Sequence, residues 1–128
     1  MDARQSPISE AEREVLKALW DQGPSTVRAV NAALAQQGRR WAYTTVQTLL
    51  QRLEAKGYVR CDKGGPAHVF TAAVTREQLL TRRLRDLADQ FCDGTASPLL
   101  LRLVEDGDLT AEDVQRLRRL LDRLDPPD

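Results

Sequence analysis

The chain has 128 residues, which is enough for one ordinary domain or for a small domain with an appendage that needs a partner. Charged residues make up 30% of it and aromatic residues only 5%, so a core must be built mainly from Leu, Val and Ala. No window approaches about 18 uncharged apolar residues and no basic-then-apolar leader is present, so we expect neither a membrane span nor a secretory signal. The two isolated cysteines, Cys61 and Cys92, predict free thiols and a reducing, cytoplasmic location.

The formal net charge is zero, but the charges are unevenly distributed along the chain. Residues 24–66 carry seven basic and two acidic side chains, a net charge of +5, between flanks of −2 (residues 1–23) and −3 (residues 67–128). A basic block can bind phosphates by releasing counterions, while acidic flanks limit non-specific binding. Because many charged stretches are only solvated surface, the block favours a nucleic-acid ligand without establishing one.

Two short helices are predicted at the start of the chain. Ser9 and Glu12 have the spacing of a capping box, and apolar residues then recur at helical spacing until Gln22, which precedes a Gly-Pro pair. We expect Ser25 to cap the second helix and Gly38 to end it. Since only a few residues separate them, these helices should pack against each other at a steep angle.

A third helix is predicted from about Tyr43 to Lys56. Gly57 follows at the expected C-terminal position, whereas Ala42 is a weak N-cap. The apolar side chains lie within about 60° of one another on a helical wheel and should face the core: Val46, Leu49, Leu50 and Leu53. The opposite face carries hydroxyls, an amide, a guanidinium and a small alanine, and no acidic residue: Thr44, Thr48, Gln51, Arg52 and Ala55.

Short apolar runs at 58–61 and 69–72 predict two strands, joined by a turn-rich, basic tip at 63–68. A tip spanning 64–68 would place Cys61 opposite Thr71. Three helices and a hairpin with a Gly-rich tip are the parts of a winged helix-turn-helix, so we assign residues 1–74 to a DNA-binding domain of this kind. The predicted fold class is mainly α with a small β-hairpin wing.

Three further helices are predicted in residues 75–128. Thr75 opens the first, which ends at about Phe91; Ser97 should cap the second, with Pro98 in its first turn; Thr110 should cap the third. These Leu-rich helices bury too little surface to be stable alone, so they pack either on a second copy, which we favour, or on the same monomer. The predicted dimer interface consists of Leu80, Leu84, Leu87, Phe91, Leu99, Leu100, Leu103, Val104, Leu117, Leu120 and Leu121.

The polar face of the third helix has the chemistry needed to contact bases in a DNA major groove, which admits one α-helix. Gln51 can pair with adenine and Arg52 with guanine or a phosphate, although every small domain also has some polar surface helix. Arg60, Lys63 and His68 flank the hairpin tip and can contact phosphates, or be ordinary solvated side chains. The predicted DNA-binding residues are Arg39, Tyr43, Thr44, Thr45, Gln47, Thr48, Gln51, Arg52, Arg60, Lys63 and His68.

Metal and catalytic sites are poorly supported by the sequence. Cys61, His68 and Cys92 lack the spacing of a zinc or copper site. No G-x-S-x-G motif is present, and the lone histidine has no evident carboxylate to orient it. We therefore expect no metal, no cofactor and no enzymatic activity.

Three segments resemble the penicillinase-repressor (BlaI/MecI) family over about residues 8–124. They are WAYTTVQTLLQRLEAKGYV (41–59), ISEAEREVLKALW (8–20) and FCDGTASPLLLRLVEDGDLTAEDVQRLRRLL (91–121). The resemblance implies a homodimeric repressor that binds an inverted-repeat operator through its third helix. It also implies a partner, a membrane-embedded sensor protease that relieves repression by triggering repressor cleavage.

The chain departs from the family pattern in two places. The family's cleavage is associated with an Asn-Phe bond, and the matching residues here are Arg102 and Leu103. Related copper-responsive repressors carry a cysteine-rich tail, which this chain lacks. Two other function classes stay open from the sequence: a winged-helix protein-interaction adaptor, and a regulator that responds to a small ligand or metal.

Overall fold

The computed structural model describes residues 7–126, which form six helices and a three-stranded sheet. The elements in chain order are α1 (Glu10–Gln22), β1 (Ser25–Thr26), α2 (Val27–Gln36), α3 (Tyr43–Ala55), β2 (Val59–Asp62), β3 (Val69–Ala72), α4 (Arg76–Phe91), α5 (Ser97–Glu105) and α6 (Ala111–Leu124). The predicted fold class, mainly helical with a small β wing, is confirmed. By packing, the chain divides between Leu80 and Thr81 into two units, here called the winged unit and the C-terminal unit.

Helix α1 forms as the sequence predicts, because both of its ends carry local signals. The Ser9 hydroxyl accepts the backbone N–H of Glu12, and the Glu12 carboxylate accepts the backbone N–H of Ser9, which completes the capping box. At the other end Gly23 has φ of 83°, a left-handed conformation that favours glycine, and donates its N–H to Leu19.

The prediction that Ser25 caps α2 is wrong by one residue. Thr26 is the N-cap, and its hydroxyl accepts the backbone N–H of Ala29. Ser25 instead has extended backbone and pairs with Phe70 in the sheet, as strand β1, which the sequence analysis missed. Its hydroxyl donates to the carbonyl of Gly23. Since both hydroxyl residues are suitable caps, strand pairing decides which of them is used.

Strand order in the antiparallel sheet is β1-β3-β2. The expected register of the hairpin is wrong by one residue, because Cys61 faces Phe70 and Arg60 faces Thr71. Asp62 pairs with Val69, so the tip comprises residues 63–68 rather than 64–68. The Asp62 carboxylate accepts the N–H of Gly64 and thereby stabilises the start of the turn.

The core of the winged unit lies between the three helices and the sheet. Its fully buried side chains come from all three helices and from β2: Val15, Leu16, Leu19, Val30, Leu34, Val46, Leu50, Leu53 and Val59. The predicted apolar stripe of α3 is therefore confirmed, and its opposite face is left in solvent. Helix α3 begins without a side-chain cap, as expected for Ala42.

The C-terminal unit contains most of α4 together with α5 and α6. Thr75 opens α4 as predicted, in a capping box with Gln78, and Thr110 forms a capping box with Asp113 at α6. The prediction that Ser97 caps α5 is wrong, because Ala96 already has helical backbone angles and is the N-cap, without a side-chain bond. Within residues 7–126, no helix is long and apolar enough to span a bilayer.

Candidate DNA interface

The exposed face of α3 carries the polar side chains that the helical wheel predicts. Thr44, Thr48, Gln51 and Arg52 are exposed, as is Thr45. The Thr48 hydroxyl donates to the backbone carbonyl of Thr44 at 2.9 Å, which leaves the lone pairs of its oxygen able to accept a hydrogen bond. Glu54 is half-buried, so no acidic side chain is fully exposed along this helix. Such a face can approach DNA phosphates without charge repulsion.

A groove of about 480 Å³ separates this face from the tip of the wing. Tyr43, Gln47 and Gln51 line its α3 side, spaced one helical turn apart. The other walls come from the start of α2 and from the wing: Thr26, Val27, Arg28, Pro66, Ala67, His68 and Phe70. The groove thus brings four predicted DNA-binding residues together, since His68 lies across from the three α3 side chains.

The remaining wing residues lie outside the groove. Arg60 is exposed on β2, and Lys63 is exposed at the first position of the tip. Both are available to a ligand that lies along the hairpin. Arg60 and Lys63 thus place two cationic groups on the side where the chain enters the Gly-rich tip, and His68 lies where the chain leaves it.

Arg39 differs from the other predicted DNA-binding residues in its surroundings. Its guanidinium lies 3.8 Å from the carboxylate of Glu10 and 3.9 Å from that of Glu14, both on α1. It also lies 5.8 Å from the centre of the Trp41 ring. These contacts place the Arg39 guanidinium beside two acidic side chains of α1. Arg39 is not among the residues that line the groove.

The sequence analysis did not select Arg28, which lines the groove from the first turn of α2 and is exposed. The sequence does contain a signal for Arg28. A cation in the first turn of a helix interacts unfavourably with the helix dipole, so another role is expected for it. Its position two residues after the Thr26 cap places it beside the α3 face, where it can meet a phosphate.

An ion pair between a buried carboxylate of α1 and a partly exposed ammonium fixes the far end of α3 against α1. The Lys56 ammonium, at the C-cap of α3, lies 2.8 Å from the carboxylate of Glu12 and also donates to the carbonyl of Pro7. Glu12 is only 3% exposed, and its Oε2 has no hydrogen-bond partner within the described residues. Burial acts to raise the pKa of Glu12, but hydrogen bonds from Lys56 and Ser9 outweigh it and leave that pKa below its ordinary value.

The cysteines do not form a metal site with the histidine. Cys61 faces Phe70 rather than His68, and residues 7–126 contain no cluster of three or more potential metal ligands. Burial raises the pKa of the Cys61 thiol, and the charges of Glu54 and Asp62 raise it further against the opposing effect of Lys63. The thiolate, which is the form that binds metals, is therefore disfavoured.

The predicted dimer-interface residues are mostly in solvent in the single chain. Phe91 is 78% exposed and Leu103 is 59% exposed, while Leu99 and Leu117 are half-buried. The other predicted residues are also exposed: Leu80, Leu84, Leu87, Leu100, Val104, Leu120 and Leu121. Ala88 is the one apolar residue of residues 81–126 that is buried.

Comparison with known proteins assigns the chain to a family. The family model described as "Penicillinase repressor" matches residues 8–123. The chain belongs to the penicillinase repressor family. Members of this family are DNA-binding transcriptional repressors, so the predictions of such a repressor and of a protein without enzymatic activity are confirmed.

Two curated relatives are similar over most of their length. The transcriptional regulator BlaI of Mycobacterium tuberculosis is 34% identical over 96% of this chain and 88% of its own. The penicillinase repressor of Bacillus licheniformis is 28% identical over 90% of this chain and 89% of its own. Among solved structures, the B. licheniformis BlaI monomeric form in complex with the blaP half-operator has 32% identity and a TM-score of 0.48, covering 57% of this chain and 88% of that one.

Proposed function

We propose that this penicillinase repressor family member acts in the cytoplasm as a homodimer on an inverted-repeat operator. Helix α3 of each protomer lies in a major groove, and the wing contacts the neighbouring backbone. The observation that carries the proposal is a completed winged unit with an acid-free α3 face, in the same chain as a C-terminal unit whose leucines are exposed. A symmetric dimer presents two such faces to two half-sites.

The groove between α3 and the wing supports this assignment of contacts. Gln47 and Gln51 can donate to and accept from base edges, and a glutamine amide matches adenine in the major groove. Arg28 and His68 line the same groove, on the side away from the α3 axis, where a phosphate backbone flanking the major groove would run. Polar contacts to bases and to the backbone are thus supplied by adjacent side chains.

The adaptor function is less well supported. A protein-interaction module of this kind would be expected to expose apolar side chains on α3, and only Tyr43, 49% exposed, is a large one. The metal-responsive function lacks a ligand cluster among the described residues. We therefore propose direct DNA binding by the winged unit.

A membrane-embedded sensor protease is the partner that the family resemblance implies for relief of repression. The matching bond, between Arg102 and Leu103, lies within α5, and both side chains are exposed. Since neither residue matches the family's Asn-Phe bond, our proposal does not include cleavage at this position.

The experiment is a binding titration on a duplex selected from random DNA by the full-length protein. Gln51→Ala should lose about 1–3 kcal/mol of discrimination at one base pair of each half-site, while the folding of the variant is unchanged. Gln36→Ala, which removes an exposed glutamine from the end of α2, is the matched control. If Gln51→Ala weakens binding to operator and random DNA equally, Gln51 contacts only the backbone.

The wing is tested through salt dependence. Removing one phosphate contact should reduce the slope of log affinity against log salt concentration by about 0.9, so Arg60→Ala and Lys63→Ala should each flatten it. Lys17→Ala removes an exposed cation of α1 and serves as the charge control. Unchanged affinity and slope in both wing variants would contradict the proposed role of the wing.

A further inference from the structure

Strand pairing places His68 beside the first turn of α2. Thr26, the N-cap of α2, pairs with Val69 in the antiparallel sheet. Because antiparallel partners face each other, the residue before Val69 lies next to the residue after Thr26. His68 is therefore brought to the start of α2 by the sheet, close to Arg28 in the first turn of that helix. Both side chains are exposed, and both line the groove on the side opposite α3.

The backbone that carries these two side chains is anchored in the core of the winged unit. Phe70, two residues after His68, is 3% exposed and belongs to that core. Val27, which precedes Arg28, is 6% exposed in the same core. Since all four residues belong to the winged unit, the arrangement does not depend on where the C-terminal unit lies.

The groove that His68 lines contains cationic and neutral side chains. Arg28 lines it from α2, and Tyr43, Gln47 and Gln51 line it from α3. None of the described residues that line the groove carries a carboxylate. A nearby like charge disfavours the protonated form of a histidine, whereas a nearby anion favours it. In the free protein, the groove thus offers an imidazolium at His68 no anionic partner.

The hairpin does not supply the missing anion either. Asp62 lies opposite Val69, but its carboxylate accepts the backbone N–H of Gly64 at 2.9 Å and stabilises the turn. Arg60 and Lys63 are exposed on either side of Asp62 in the sequence, so positive charge exceeds negative charge in this part of the hairpin.

A phosphate of bound DNA is an anion that can occupy this position. When α3 lies in a major groove, the side chains opposite α3 border the sugar-phosphate backbone. Histidine is the side chain whose charge ordinarily changes between about pH 5 and 8, and His68 is the only histidine of the chain. A neutral imidazole takes a proton from solvent on its free ring nitrogen, and the imidazolium then donates to a phosphate oxygen.

We propose that Arg28 and His68 form a phosphate-binding site in the groove, in which Arg28 binds at every pH and His68 binds as the imidazolium, so that operator binding takes up a proton. This inference rests on the proposed function and adds to it a ligand for this side of the groove and a dependence on pH. Because the complex holds the proton more tightly than the free protein does, affinity should rise as the pH falls from about 8 to about 6.

The test is a titration of the full-length protein on a duplex with one selected half-site, so that simultaneous binding of two half-sites does not enter. Affinity is measured over a range of salt concentrations at about pH 6 and about pH 8. In wild type the slope of log affinity against log salt concentration should be steeper at the lower pH by about 0.9, the value for one phosphate contact. Affinity at low salt should be about tenfold higher at the lower pH.

The two residues of the site should respond differently to substitution. His68→Gln should flatten the slope by about 0.9 at the lower pH and leave it unchanged at the higher pH. Arg28→Gln should flatten it by about 0.9 at both. Because both side chains are exposed, neither substitution should affect folding. Lys17→Gln, which removes an exposed cation of α1 outside the groove, is the matched control and should behave as wild type.

The proton is counted by isothermal titration calorimetry at about pH 7 in buffers that differ in ionisation enthalpy. The dependence of the binding enthalpy on the buffer's ionisation enthalpy gives the number of protons taken up. Wild type should take up a fraction of one proton for each half-site bound, and His68→Gln should lose this uptake.

Three results would overturn the inference. The first is a wild-type salt slope that is the same at both pH values. The second is a His68→Gln variant that retains the wild-type proton uptake, because another group would then bind the proton. The third is an Arg28→Gln variant that retains the wild-type slope. None of these results contradicts DNA binding by α3, which fails instead if wild type binds selected and random duplexes equally at both pH values.

Discussion

The winged unit and the C-terminal unit contain similar amphipathic helices, but they differ in how far the apolar faces of these helices are buried. In the winged unit the apolar stripes of α1, α2 and α3 converge on one another and on the sheet, and leucines such as Leu16 and Leu50 have no exposed surface. In the C-terminal unit the stripes of α5 and α6 contain no buried residue, and Leu103 and Leu120 are each more than half exposed. Periodicity alone does not distinguish a helix whose partner is in the chain from one whose partner is outside it.

The difference has a functional meaning. A unit that is complete by itself can hold α3 in a fixed position for DNA, whereas a unit with a large exposed apolar surface needs a partner to be covered. In the proposed function a second copy of the chain covers this surface symmetrically and brings the second recognition helix. The two regions should also differ in stability, as they differ in burial.

The largest effect is expected in the core of the winged unit. Leu50→Ala should lower the free energy of unfolding by about 2–5 kcal/mol, because it removes a fully buried side chain and leaves a cavity. Leu101→Ala, at a position that is 57% exposed, should change it by less than about 0.5 kcal/mol. Both tryptophans lie in the winged unit, so urea unfolding followed by tryptophan fluorescence at one protein concentration compares the variants. Equal costs would contradict the difference in burial.

A smaller effect is expected at the ion pair between α1 and α3. Lys56→Met should destabilise the winged unit by about 1–3 kcal/mol, because the nearly buried carboxylate of Glu12 loses its only cationic partner within the described residues. Lys17→Met removes an exposed cation from α1 and is the control, which should leave the free energy of unfolding nearly unchanged. A neutral Lys56→Met would mean that solvent replaces the ammonium.

The same pair predicts a dependence on pH. The pKa of Glu12 in the folded protein lies below its ordinary value of 4.5, so its stabilising contribution is complete above that pH and is lost as the pH falls through the folded pKa. Glu12→Gln should remove this part of the acid-side loss, and Lys56→Met should reduce it. The measurement is urea unfolding of the three proteins at a series of pH values below 6 or so. Parallel curves for wild type and Glu12→Gln would contradict the assignment.

The smallest effect is expected at the last helix cap. Thr110→Ala removes the hydroxyl that accepts the backbone N–H of Asp113 and should cost about 1 kcal/mol in the stability of α6. Thr110→Ser retains that acceptor and should behave almost as wild type. Amide hydrogen exchange resolved to the residues of α6 detects this local change. Faster exchange in both variants would show that the methyl group, rather than the cap, matters.

Much of the fold could be predicted from the sequence because its signals are local. The capping box at Ser9, the cap at Thr110 and the apolar stripe of α3 predicted helices within about a residue of those observed. The errors occurred where local signals were duplicated: Ser25 and Thr26 are both good caps, and only pairing of Ser25 with Phe70 decides between them. The length of the hairpin turn, and with it the residue that faces Cys61, likewise depends on one strand pair, that of Asp62 with Val69.

Only part of the candidate DNA interface could be predicted from the sequence. The exposed face of α3 follows from helical geometry, but the groove beside it is built from α2 and the wing, which are distant in the chain. Arg28 therefore escaped selection, and Arg39 was selected although it is paired with Glu10 and Glu14. The hydrogen bond from the Trp20 indole N–H to the carbonyl of Val74 could not be predicted either, since 54 positions separate the two residues.

The most direct test of the difference between the two units is sedimentation equilibrium of full-length wild type and Leu100→Asp at tens of micromolar. A buried, unpaired carboxylate strongly opposes association, so the account predicts a wild-type dimer and a Leu100→Asp monomer that keeps its helical circular dichroism. A wild type that sediments as a monomer at this concentration would contradict the account. An unfolded Leu100→Asp would contradict it too, because the exposed leucines would then belong to the core of a single chain.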